Sequence, residues 1–154
     1  MRIRVIWEGK TKNESFRALQ RDYAARIAHF GELRIEELAP RRSFRPSGPD
    51  KLSAAESHLL ERVKGSRKVV LDERGKEWNS EEFARWMGQC AVEGARELAF
   101  LVGGPDGFSV AFRKRADLLL SLSRMTLTRD WARTLLLEQI YRGYTVQRGY
   151  PYPR

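Results

Sequence analysis

Charged and apolar residues alternate from Arg2 to Trp7, with Arg2 and Arg4 on one side and Ile3, Val5 and Trp7 on the other, which predicts a strand with one buried face. Phe16, Leu19, Tyr23, Ile27 and Phe30 then recur at three- and four-residue steps, the apolar stripe of a helix that Gly31 is placed to end. Leu33 to Leu38 predicts a second strand. From Ala39 to Asp50 all periodicity is lost, and the arginines and prolines of PRRSFRPSGPD predict a mobile basic loop. Leu52, Ala55, Leu59 and Val63 mark a second helix closed by Gly65, and Lys68 to Leu71 is a short apolar strand bounded by Asp72. Asn79 followed by Glu82 has the spacing of a capping box, opening a helix whose apolar face is Phe83, Trp86, Met87 and Cys90 and which Gly94 ends. Leu98 to Val102 is continuously apolar, as in a strand buried on both faces. A short helix from about Ser109, a strand near Leu118 to Leu122 and a last helix from about Asp130 to Tyr144 complete the series. The tail TVQRGYPYPR contains two prolines and is not expected to extend that helix.

Strands and helices alternate throughout, so the expected class is α/β, a mostly parallel sheet flanked by helices, in a single domain spanning 1–154. Ligands of such sheets bind beyond the carboxyl ends of the strands, which directs attention to the loops after Leu71, Val102 and Leu122.

Charge narrows the partners. Lys and Arg number 29 against 20 Asp and Glu, a formal charge of +9, so polyanions are attracted before any specific contact forms. The apolar run at the N-terminus is too short for a signal peptide, and no stretch approaches the ~20 apolar residues of a membrane helix, so a cytoplasmic protein is expected. Cys90 is the only cysteine and is read as core filling; with only His29 and His58 beside it, no zinc-ligand spacing exists and no metal is expected.

Two loops are candidates for chemistry. GGPDG at Gly103 to Gly107 allows a ligand to approach the main chain closely, although standing alone the motif is better explained as a Pro-Asp-Gly turn between strand and helix. It is neither GxGxxG nor a P-loop, which removes the usual support for hydride transfer or nucleotide hydrolysis. LSLSRMTLT, Leu120 to Thr128, offers backbone groups to an adenine edge with Leu122, Met125 and Leu127 over its faces; alone it also reads as a strand and a helix cap.

Taken together and in order, Leu71-Asp72, Gly75-Lys76 with Trp78, FLVGGPDGF, LSLSRMTL and LLLEQIYRGYTVQRGYPYPR resemble the ribosomal RNA large subunit methyltransferase H family of the SPOUT superfamily, and MRIRVIW at the start also fits. The resemblance implies a deep trefoil knot in the C-terminal half, a homodimer, and S-adenosylmethionine as methyl donor. It implies a donor site at Leu71, Gly103, Leu122, Ser123, Arg124, Met125, Thr126 and Leu127. The implied substrate is a pseudouridine of 23S rRNA in the large ribosomal subunit, methylated at N3, with neither DNA nor membrane as partner. Two other readings share the fold: a non-catalytic ribosome-binding or assembly factor, and a methyltransferase acting on another RNA such as tRNA.

The donor's sulfonium carries the reactivity, so the protein has to align the reacting groups and stabilise the anion left when the N3 proton departs. Arg142, Tyr152 and Arg154 are the candidate catalytic residues, and Asp106 is a further possible base. Arg41, Arg42 and Arg45 around Phe44, and Arg113 to Arg115, are candidate RNA contacts. The apolar residues Leu135, Leu136, Ile140, Tyr141 and Tyr144 exceed one narrow stripe of the last helix, so one face is expected to pack on the fold and another on a partner in a dimer. The chain departs from the family at Thr128 and Arg129, where Pro-His is usual, and at Tyr150 and Pro153, where the usual ending has histidines; any proton transfer by those histidines is absent here.

Overall fold

The chain runs β1 (Arg2–Glu8), α1 (Glu14–Ala28), β2 (Leu33–Leu38), α2 (Ala54–Arg62), β3 (Arg67–Glu77), α3 (Ser80–Val92), β4 (Glu97–Val102), α4 (Val110–Arg113), β5 (Leu118–Ser121) and α5 (Arg129–Arg148). The computed structural model describes residues 1–40 and 50–153. The basic segment holding Arg41, Arg42, Phe44 and Arg45 therefore lies outside the described residues, as does Arg154. The strands form one five-stranded sheet in the order β2-β1-β4-β3-β5, and every pairing is parallel.

β4 is central and buried at all of its positions, as its unbroken apolar sequence predicts. Helices α1, α3 and α5 cover one face, where Ile27, Met87 and Leu136 pack on Ile3, Val5, Trp7, Leu98 and Phe100. The other face is closed by α2 and α4, with Leu59 and Phe112 against Ile6, Ala99 and Leu101. Burial on both sides explains why Ile6 of β1 is buried although it falls on the polar side of the alternating pattern. Cys90 is fully buried, and Arg67 donates to its sulfur at 3.0 Å. The capping box at Asn79 and Glu82 is present, and α2 carries a second one at Ser53 and Glu56.

Two boundaries differ from expectation. β3 does not stop at Leu71: Leu71 and Lys76 both pair with Leu120 of β5, so residues 72–75 loop out of the ladder and the strand then resumes. Gly75 permits this return, because a β-carbon there would lie 2.7 Å from the main chain at Leu119 and Leu120. α5 does not stop at Tyr144 but continues to Arg148 and ends at Gly149, whose φ of 65° is the left-handed cap geometry. The prolines of the tail stand beyond that cap, so they limit nothing inside the helix.

Of the five apolar residues read as exceeding one stripe of the last helix, Leu135 and Tyr141 are half-buried and the other three face the fold. Leu136 and Ile140 are fully buried and Tyr144 is nearly so, all within the chain's own core. The apolar surface exposed on this layer includes Leu19, 42% exposed on α1, and Trp131, 50% exposed on α5, with Phe16 edge-on to Trp131 at 4.9 Å, together with Val92 on α3 and Val146 near the end of α5.

Candidate functional site

The carboxyl ends of β3, β4 and β5 open into a cleft of about 590 Å³, a volume suited to a nucleoside-sized ligand. Three segments build it: residues 71–74, where β3 leaves its ladder after Leu71; the glycine loop 103–107; and residues 122–128, which lead into α5. Of the donor residues implied by resemblance, Leu71, Gly103, Leu122, Ser123, Met125, Thr126 and Leu127 all line this one cleft. Arg124 does not; its side chain is 83% exposed and points to Glu77 at 3.6 Å. Ser123 shapes the third loop, its hydroxyl accepting from the Met125 N–H at 2.9 Å and its carbonyl accepting from the Ser121 hydroxyl at 3.0 Å. Met125 is 79% exposed, an apolar side chain with its contact surface unused at the edge of the cleft.

The glycine loop is held from behind. A β-carbon on Gly103 would come within 3.3 Å of both the Phe108 ring and Gly107 Cα, so the absence of a side chain serves the closure of the loop itself as well as ligand approach. Phe108 stacks on Phe112 at 4.2 Å. The fully buried Glu56 anchors the far end: one carboxylate oxygen accepts from the Ser53 N–H, and the other from both the N–H and hydroxyl of Ser109, each at 2.9 Å. The S-x-x-E spacing at Ser53 to Glu56 is a sequence signal for that cap; its second use, on Ser109, is visible only in three dimensions.

Charged groups surround the cleft. Asp72 and Arg113 both line it, 3.4 Å apart, and Asp72 also accepts from the Arg74 N–H at 2.9 Å. Arg113 is thus committed to the site, whereas its sequence neighbours Lys114 and Arg115 are exposed. Arg74, Arg129 and Asp106 also line the cleft. One turn along α5 from Arg129, Arg133 is 2% exposed, donates to the Glu8 carbonyl and to the Thr11 hydroxyl, and sits 4.8 Å over the Trp7 ring. Burial, and then the like charge of Arg129, hold its pKa down to about 10, so it remains a cation at neutral pH.

Arg142 and Tyr152 lie elsewhere. Arg142 is paired with Glu138 at 2.7 Å and stands 4.4 Å over the Tyr152 ring. Tyr152 packs edge-on to Tyr141 at 4.8 Å and shares a hydrogen bond with the Tyr23 hydroxyl at 2.9 Å. Burial and that hydrogen bond push the Tyr152 hydroxyl upward from its ordinary value, so it stays protonated. Arg142 follows Arg129 by more than three helical turns, roughly 20 Å along α5, so within one chain this cluster and the cleft are separate places. Among the described residues no group of three or more His, Cys, Asp and Glu converges as a metal site, and no helix is long and apolar enough to cross a membrane.

An all-parallel α/β sheet with a cleft beyond three strand ends, bounded by a glycine loop and a backbone-rich turn, has the arrangement in which open α/β sheets hold their ligands. A family model described as "Predicted SPOUT methyltransferase" matches residues 1–153. Proteins named "Ribosomal RNA large subunit methyltransferase H" from Geobacter metallireducens and Geobacter sulfurreducens are 39% and 40% identical over 154 residues, covering 99% of this chain and 98% and 99% of theirs. A crystal structure of a methylase family protein from Neisseria gonorrhoeae shares the fold, with a TM-score of 0.53 and 15% identity over 99% of this chain and 84% of that one. The chain belongs to the ribosomal RNA large subunit methyltransferase H family of SPOUT methyltransferases.

Proposed function

We propose that this chain transfers a methyl group from S-adenosylmethionine to N3 of a pseudouridine in 23S rRNA of the large ribosomal subunit. The observation that carries the reading is the convergence of the implied donor residues, all but Arg124, on a single cleft. The cleft suits that donor: Leu71, Leu122 and Leu127 offer apolar faces to an adenine, and the backbone of residues 122–127 lies where its edge needs hydrogen bonds. When bound, the donor supplies an electrophilic methyl group. The protein's part is to seat the donor and exclude water, with Met125 and the glycine loop closing over it, and to hold positive charge near the nitrogen that loses its proton.

The whole chain acts as one domain in this reading, knotted in its C-terminal half as the family membership implies, and it works in the cytoplasm as a homodimer. Two observations support the dimer: the exposed apolar ridge of Phe16, Leu19 and Trp131, and the distance between the cleft and the Arg142–Tyr152 cluster. Antiparallel packing of α5 on its counterpart would bring that cluster to the other subunit's cleft. Arg142 and Tyr152 then act across the interface, the guanidinium stabilising developing negative charge and the protonated Tyr152 hydroxyl donating a hydrogen bond.

Purified protein should bind S-adenosylmethionine in calorimetry and transfer labelled methyl to large ribosomal subunits, with little transfer to naked 23S rRNA or tRNA. Donor binding without transfer to any RNA would favour a non-catalytic assembly factor. Transfer confined to tRNA would keep the chemistry and replace the substrate.

A further inference from the structure

We infer that Arg74 and Arg129 form a two-point clamp for the phosphate backbone of the substrate RNA, one guanidinium on each side of the glycine loop. The inference rests on the methyltransferase reading and names the residues by which that cleft takes its polyanion. Both arginines line the cleft and both are exposed. Neither guanidinium has an ion-pair partner within 4.0 Å among the described residues, whereas Arg113 in the same cleft is paired with Asp72.

Their placement follows from the sheet. The Arg129 guanidinium reaches to 4.0 Å from the β-carbon position of Gly9, just past the end of β1. Arg74 belongs to the segment looped out of β3. β4, which leads into the glycine loop, lies between β1 and β3, so the two cations bracket that loop across two strand spacings, roughly 10 Å. A target base entering between them would have its flanking phosphates held on either side.

Charge at the Arg129 end favours an anion. Arg129 opens the long helix α5, where the helix dipole is positive, and it repels the buried Arg133 strongly enough to help lower its pKa. Asp130, Glu37 and Glu8 offset part of that field, yet none lies within ion-pair distance of either guanidinium. Lys10 and Lys12, exposed just beyond Gly9, extend the positive rim. A phosphate on the exposed Arg129 guanidinium offsets this positive charge and accepts a paired hydrogen bond from it. This also gives a role to the Arg that stands where the family usually has His: it replaces a titratable group with a permanent cation that anchors substrate and moves no proton.

The test uses the full chain with large ribosomal subunits as the RNA probe and S-adenosylmethionine as the donor probe. Arg74→Gln and Arg129→Gln should each weaken association with the subunits about five- to tenfold at low salt. Each should also reduce the slope of log affinity against log salt by about 0.7, one contact's worth of released counterion. Donor affinity should stay within about twofold of wild type, and KM for subunits should rise while kcat holds. Arg21→Gln and Arg85→Gln, made singly at exposed arginines that do not line the cleft, each remove the same single charge and serve as controls. Equal losses in the two controls would show that only diffuse attraction is at work and overturn the clamp. Loss of donor affinity in either cleft variant would overturn it in favour of a donor contact. An unmodified-subunit assay in which wild-type protein transfers methyl but both variants match it rejects the clamp alone; absence of transfer by wild type rejects the underlying methyltransferase reading.

Discussion

At the level of single residues, the cleft depends on side chains that are missing as much as on those present. A β-carbon on Gly103 would press on Phe108 and Gly107 at 3.3 Å, so a larger residue must displace the glycine loop or the Phe108 ring. Gly103→Val is expected to lower donor affinity at least about tenfold while costing the fold ~1–3 kcal/mol, the usual range for forcing extra carbons against packed neighbours. Calorimetry and thermal unfolding on one sample separate the two effects, and unchanged donor affinity would take Gly103 out of the site. Glu56 behaves differently. Its carboxylate holds donors from both Ser53 and Ser109 in a fully buried position, so Glu56→Gln turns an amide toward N–H groups and leaves buried donors unpaired, at a cost of ~2–4 kcal/mol. A loss below ~1 kcal/mol in urea unfolding would show that water reaches these groups.

The elements differ in how clearly their sequences announce them. β4 and α3 were legible, one from a continuous apolar run and the other from a capping box with an apolar face, because both signals are local. The resumption of β3 after residues 72–75 was not legible, since it depends on Gly75 passing against the main chain of β5, a partner more than forty residues away. For α5, the prolines at 151 and 153 drew attention away from Gly149, the residue that actually caps the helix. The tail that follows is docked: Tyr150 packs on Phe30 at 5.7 Å and Tyr152 on Tyr141. Deleting Tyr150 to Arg154 should therefore lower Tm by roughly 3–6 °C, the equivalent of ~1–2 kcal/mol of aromatic burial, preserve donor binding and abolish methyl transfer. Full activity in the truncated protein would reduce the tail to a structural role.

The docking of the tail should also respond to pH. The Tyr152 hydroxyl titrates above its ordinary value because it is buried and bonded to Tyr23, with Glu138 adding to the shift. A group raised in the folded state contributes stability that is complete below the unfolded value, about 10, and is lost as pH rises through the folded one. Tail release, followed as tyrosinate absorbance together with cleavage after Arg148, should therefore appear only on the alkaline side of pH 10. Cleavage that is already rapid at pH 8 would show an undocked tail.

On the scale of the whole molecule, the site was legible in part. The proposed donor loops come from three segments whose order and spacing resemble the family, and the fold brings them to one cleft. Local pattern could not show that Arg142 falls roughly 20 Å along α5 from Arg129, with Tyr152 of the tail packed beside it, because helical periodicity describes a face and not the position of that face relative to a loop. Their distance makes oligomeric state a functional matter. Sedimentation at micromolar concentration should show a species of twice 17.9 kDa, and Trp131→Glu should shift it toward monomer and reduce transfer with donor affinity retained. A fully active monomer would contradict assembly of the site across two copies. The most direct test of the central claim is to incubate large ribosomal subunits lacking the modification with the protein and S-adenosylmethionine, then digest the RNA and identify the methylated nucleoside by mass spectrometry. The expected product is N3-methylpseudouridine in 23S rRNA, formed only when both donor and protein are present; subunits that bind the protein yet acquire no methylated pseudouridine would contradict it.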